Sequence, residues 1–134
     1  MIKLSKKWDY ALKAIIYLSN NENKLLKIAE ISNILNIPEA FLRRIINDFE
    51  KAGIVITIKW RNGWIIFSKD KSTINLYEVL LTVWEDLNIS DCSSGHSCSN
   101  STNCLTTDIF KSLQKWFNWL LKLYTLDKIS KNDN

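Results

Sequence analysis

Three glycines, one proline and one histidine are all that this 134-residue chain contains of those types. With so few backbone breakers, helices are expected to carry most of the chain, and six tryptophans supply them with large apolar surfaces. A lone histidine, His96, leaves no evident pairing of a nucleophile with a base, so an enzyme is not expected. No apolar run approaches the roughly eighteen residues of a membrane span, and the amino terminus has no signal-peptide pattern. A cytoplasmic protein without a membrane partner is the expectation. Cysteine is scarce too: there are three, and pairing an odd number into disulfides leaves one over.

What is present bounds the rest. Hydrophobic residues make up 46% of the chain, ample for the core of one domain, or of one small domain with an appendage. The net charge of +4 is unevenly spread. Residues 1–71 carry 13 Lys and Arg against 7 Asp and Glu, and residues 72–134 carry 5 against 7, so the halves are +6 and −2. Arg43, Arg44, Lys59 and Arg61 lie close together in the basic half, which suits a polyanion partner; charges that merely solvate a surface are the plainer account.

Ser5 is placed to cap a helix in which Trp8, Ala11, Leu12, Ile15 and Leu18 recur at helical spacing, with Asn20-Asn21 ending it. Asp9 falls at the edge of that face, beside Ile16, where partial shielding from water is expected; a first-turn carboxylate favoured by the helix dipole is the alternative. Lys27 to Leu35 form a short second helix with Ile28, Ile31, Ile34 and Leu35 inward. After a turn at Asn36-Ile37, Pro38 suits a first helical position, and Phe41, Leu42, Ile45, Ile46 and Phe49 make a buried stripe until Ala52-Gly53 stops the helix. Two helices so tightly joined read as a helix-turn-helix. The β-branched and aromatic residues on either side of Asn62-Gly63, from Ile54 to Lys59 and from Ile65 to Phe67, read as a hairpin.

A helix-turn-helix followed by a hairpin is a winged helix, whose second helix enters the major groove while the hairpin reaches phosphate or minor groove. The DNA-facing residues would be Pro38, Glu39, Ala40, Arg43, Arg44 and Asn47, joined by Lys59 and Arg61 on the wing. Arg43 and Arg44 can read guanine edges or phosphates, and Glu39 can accept from cytosine.

Asn75 to Glu78 reads as a capping box with Ile74 and Val79 as its staple, opening a helix from Leu76 to about Asp86. Its apolar positions are Leu76, Val79, Leu80, Val83, Trp84 and Leu87. From Leu105 to Leu126 a single long helical pattern follows: Ile109, Leu113, Trp116, Leu120 and Leu123 line one side, and Phe110, Phe117, Leu121 and Tyr124 widen it. So broad a stripe exceeds what one small domain covers, and a symmetric dimer would use the excess; an intramolecular core helix is the alternative. Residues 128–134 are expected to form a loose polar tail. The fold expected is mainly α, a winged helix-turn-helix domain over residues 1–71, a connecting helix over 72–90, a cysteine loop over 91–104, and a dimerisation helix with its tail over 105–134.

All three cysteines fall in that loop, Cys92, Cys98 and Cys104, evenly spaced among Ser, Gly, Asn and Thr that favour turns. Three thiolates on a flexible loop suit a soft metal centre or an iron–sulfur cluster; thiol redox sensing and inert loop cysteines are the other accounts. A metal centre would need a fourth ligand from elsewhere.

Four patches give the chain a family resemblance. They are Lys7 to Lys13 in the first helix, Ile28 to Ile31 with Ile37 to Leu42, Ala52 to Val55, and the C-x5-C-x5-C loop with Leu105-Thr106 after it. Together they resemble the Rrf2 family, the winged-helix regulators of the IscR and NsrR type. The resemblance implies a dimeric transcription factor on a palindromic operator, its three cysteines holding a [2Fe-2S] or [4Fe-4S] cluster with a fourth ligand that is not cysteine. Members with a histidine three residues after the last cysteine differ from this chain, which has Thr107 there. Members with an aspartate in the first helix, supplied by the other subunit, align it with Asp9. A further branch has glutamate at that place and histidine four residues on, where Lys13 stands here. The resemblance therefore implies Cys92, Cys98, Cys104 and Asp9 as ligands, with His96 as the rival to Asp9. Operator affinity would follow cluster state, and so redox poise, nitric oxide or iron–sulfur supply. A metal-free thiol sensor on DNA and an iron–sulfur electron carrier are the competing functions; the carrier leaves the winged helix unused.

Overall fold

A serine hydroxyl starts the first helix. α1 spans Lys6–Asn20, and Ser5 Oγ accepts from Trp8 N at 3.3 Å, a cap worth about 1 kcal/mol over alanine. The computed structural model describes residues 5–58, 63–83, 88–89 and 104–130. α1 buries Trp8, Ala11, Ala14, Ile15 and Leu18 at helical spacing, and Asn21 closes it.

The two-residue strand β1, Leu26–Lys27, comes next, followed at once by α2, Ile28–Leu35. Lys27, read as the start of the helix, is therefore strand and cap. Ile28 and Ile31 are buried, but Ile34 is 61% exposed rather than inward. Ser32 takes the inward place, donating from Oγ to Ile37 O at 2.6 Å. At roughly 100° per residue Ile34 lies about 60° past Ile31, off the buried face.

Asn36 ends α2 in the left-handed conformation at φ 54°, which an asparagine tolerates. α3 spans Glu39–Lys51, with Pro38 as its extended cap (ψ 130°) one position ahead of the first-turn place that the sequence suggested. Leu42, Ile45, Ile46 and Phe49 are buried, each contributing roughly 1.5–3 kcal/mol. Phe41 is half-buried, meeting the ring of Tyr10 edge-on at 5.2 Å.

β2 (Val55–Ile58) and β3 (Trp64–Phe67) pair antiparallel, from Val55 opposite Phe67 to Ile58 opposite Trp64. Of the residues between the two strands, the described one is Gly63, which takes a positive φ of 64°. β1 joins the other edge of β3, giving the order β1-β3-β2.

A 3-10 turn at Lys71–Thr73 leads to α4, Leu76–Val83, where Asn75 Oδ1 accepts from Glu78 N at 2.9 Å as the capping box requires. Ile74 and Val79 are both fully buried. Trp84 and Leu87 lie outside the described residues.

The stretch read as one long helix is two. α5 spans Thr107–Leu123, the chain leaves helical geometry at Tyr124 (φ −89°, ψ 97°), and α6 follows over Leu126–Ser130. The break is held by backbone pairing: Leu76 N donates to Tyr124 O at 2.9 Å and Leu126 N to Ile74 O at 3.0 Å. Leu126 is fully buried in the winged-helix core and Ile129 packs on it. Residues 128–130, assigned to a loose tail, therefore belong to a helix. The signal was Thr125, whose hydroxyl donates to Asp127 and whose carbonyl accepts from Lys128 and Ile129, a cap with an acid in the first turn.

α5 rests on the domain through Phe117 and Leu121, against Trp8 and Leu80. Phe117 stacks on Trp8 with ring centroids 6.3 Å apart. Buried Gln114 accepts from Ile89 N at 2.7 Å and donates to Asn118, tying the segment after α4 to this helix. No helix among the described residues is long and apolar enough to cross a membrane.

Candidate nucleic-acid interface and cysteine site

The buried stripe of α3 fixes what its other side presents. Glu39, Ala40, Arg43, Arg44 and Asn47 are all exposed, spread over an arc of roughly 140° at 100° per residue, and Pro38 is exposed at the head of the helix. The structure thus brings together the six α3 candidates. Lys59 and Arg61, assigned to the wing, lie outside the described residues.

Within that face the two arginines differ. Arg43 donates from Nη2 to Glu39 Oε1 at 2.6 Å and from Nε to the same oxygen at 3.2 Å. Arg44 has no ion-pair partner among the described residues. The third nitrogen of Arg43 faces the wing, where a methyl group on Gly63 would lie 3.4 Å from Nη1 and 3.5 Å from Ile28 Cδ1. Gly63 O in turn accepts from Ile28 N at 3.3 Å. On β1, Lys27 Nζ sits 4.8 Å from the ring of Trp64, a cation–π contact across the β1–β3 pair. Sequence reasoning missed Gly63 and Lys27 as parts of this junction, because the pairing that brings them to α3 spans some forty positions and leaves no local pattern.

Asp9 is more open than expected. Its side chain is 53% exposed: it does fall beside Ile16, about 20° away at roughly 100° per residue, but Ile16 is itself only half-buried and this edge of the helix gives little shielding. It forms an ion pair with Lys13 Nζ at 2.7 Å, an exposed i,i+4 contact of the kind worth well under about 1 kcal/mol. Cys104 stands just ahead of α5, half-buried, with Sγ 3.2 Å from Thr106 Oγ1. The hydrogen bond with the Thr106 hydroxyl is the main cause that lowers its pKa to about 7. Cys92, Cys98 and His96 lie outside the described residues. Among those described, no group of three or more His, Cys, Asp or Glu is gathered as for a metal ion.

The acidity of Cys104 gives a direct prediction. In metal-free, reduced protein its alkylation by iodoacetamide should reach half its plateau rate near pH 7, since the thiolate is the nucleophile and predominates above the pKa. Thr106→Ala should move that midpoint upward. A midpoint already near the ordinary thiol value in the unsubstituted protein would contradict the hydrogen-bond account.

Comparison with known proteins covers the whole arrangement. A family model, Rrf2, described as "Iron-dependent Transcriptional regulator", matches residues 4–132. The HTH-type transcriptional regulator NsrR of Bacillus licheniformis is 31% identical, covering 99% of this chain and 95% of that protein. The HTH-type transcriptional regulator IscR of Klebsiella pneumoniae is 26% identical, covering 98% and 81%. Among solved structures, oxidized CymR of Staphylococcus aureus superposes with a TM-score of 0.80 at 14% identity, covering 99% of each chain. The T. potens IscR structure gives 0.79 at 18%, covering 99% and 89%. Both share the fold of this chain.

Proposed function

Because this chain belongs to the Rrf2 family of transcriptional regulators, we propose that it binds operator DNA as a homodimer and that a cysteine-held iron–sulfur cluster sets its affinity. It is a DNA-binding regulator and not an enzyme. The observation that carries the reading is the outward face of α3, polar and exposed opposite four buried apolar side chains, with the wing beside it.

Cys92, Cys98 and Cys104 would hold the cluster, with Asp9 of the second subunit as fourth ligand and His96 as the rival. When bound, the cluster supplies a group whose state changes with redox poise or nitric oxide. The described residues fit it: Cys104 offers an accessible sulfur, and Asp9 a solvent-facing carboxylate that only a weak surface pair restrains. The protein's part is to keep the sulfur available at the head of α5 and the carboxylate outward on α1. A palindromic operator matches a two-fold dimer that presents one α3 to each half-site.

A second reading, a metal-free thiol sensor, is favoured by the acidity of Cys104, which makes it a ready nucleophile. Anaerobic purification separates the two. The cluster reading expects a coloured protein with bound iron, loss of most of that iron in Cys104→Ala, and an altered visible spectrum in Asp9→Ala but not in His96→Ala. A colourless, iron-free protein whose DNA affinity still follows thiol oxidation would instead establish the thiol sensor. Spectra unchanged by both the Asp9 and His96 substitutions would remove both from the ligand set.

A further inference from the structure

We propose that Arg43 is a bracket between the recognition helix and the wing, that Glu39 is its positioning residue, and that Arg44 carries the cationic contact to DNA. The inference rests on the reading of the α3 face as the DNA-binding surface. Two of the three guanidinium nitrogens of Arg43 are directed to one oxygen of Glu39, and the third faces the bare Cα of Gly63. The planar fork therefore spans from the first turn of α3 to the root of the wing, a span that a point-charge ammonium cannot make in the same way. Gly63 is fixed from its other side by Ile28 N, and its neighbour Trp64 by the Lys27 ammonium. The Arg43 fork adds a contact at the root of the wing to the core packing that already joins α3 to the strands.

Two consequences follow for DNA. The Glu39 carboxylate cancels the Arg43 charge locally, so the pair neutralises little phosphate, whereas Arg44 is exposed and has no ion-pair partner among the described residues. The bracket also stiffens the root of the wing against the first turns of α3, beyond what the shared core holds, and rigid spacing between two contact points favours a matching sequence over a random one. Arg43 thus acts on discrimination and Arg44 on the electrostatic contribution common to all sequences.

The test uses the full chain, a duplex selected by the protein from a random-sequence pool, and a scrambled duplex of the same composition, with affinity measured across salt. Arg44→Gln should reduce the log–log salt slope by about 0.9, the value for one phosphate, and weaken both duplexes alike. The paired change Glu39→Gln with Arg43→Gln conserves net charge; it should leave the slope unchanged while the preference for the selected duplex drops about tenfold. Arg43→Lys, which keeps charge but not the fork, should show the same loss of preference. If the paired change lowers the slope by about 0.9 and leaves the preference intact, Arg43 is an ordinary phosphate contact and the bracket is wrong. If none of these substitutions alters binding, the α3 face is not the DNA surface, and the functional reading fails with the inference.

Discussion

Replacing Leu113 and Trp116 of α5 together by glutamate is expected to yield a folded monomer that no longer holds its operator. The stripe read from the sequence as the helix's main apolar side is the side that the domain leaves open: Trp116 is 58% exposed, and Ile109, Leu113 and Leu123 are exposed with it. At 100° per residue these four span roughly 80°, a single seam of the kind that a partner helix covers. The residues that seemed only to widen the stripe, Phe117 and Leu121, are the ones that pack on Trp8 and Leu80. Carboxylates at 113 and 116 therefore spare the monomer's own contacts. In a two-fold dimer each substitution occurs twice, and each buried, unpaired carboxylate costs several kcal/mol.

A dissociation constant raised by at least about a thousandfold corresponds to roughly 4 kcal/mol, which is less than those carboxylates are expected to cost. Operator affinity should fall with it, by about a hundredfold or more, because two heads on one duplex gain from an effective concentration that separate heads lose. Sedimentation at micromolar protein, beside circular dichroism to confirm the fold, reads the first effect, and fluorescence anisotropy on the operator reads the second. A variant that stays dimeric would place the subunit contact elsewhere and leave this seam unexplained.

How legible this was depends on whether a feature is local. The caps at Ser5 and Asn75 and the stop at Gly53 are matters of a few neighbouring residues, and they stand as read. The buried stripe of α3 is periodic over three turns and was equally plain. Ile34 misled because a lone isoleucine at the edge of a face counts as apolar whether or not anything covers it. β1 could not be seen at all: two residues carry no period, and only the pairing of Leu26 with Ile65 makes them a strand. The pairing of Asp9 with Lys13 was available from the i,i+4 spacing alone. The Arg43 to Gly63 junction was not, since it exists only once the hairpin has folded back on the helix.

The other large effect tests the break in the long carboxy-terminal pattern. Leu105 and Leu126 are the two ends of what the periodicity joins into one helix, and the structure treats them oppositely: Leu105 is 94% exposed and Leu126 fully buried. Leu126 sits at the first turn of α6, its N–H bonded to Ile74 O, so its side chain enters the core between α1 and the turn preceding α4. Leu126→Ala removes a buried isobutyl group and leaves a cavity that this backbone-pinned segment cannot readily close, for a cost of about 2–5 kcal/mol. Against a total stability of roughly 5–15 kcal/mol that is enough to threaten folding at physiological temperature. Leu105→Ala should change stability by less than about 0.5 kcal/mol. Urea unfolding of both variants at one fixed protein concentration makes the comparison, since dimerisation would add its own stabilisation. Equal, small shifts would mean that Leu126 does not anchor α6 in the winged-helix core.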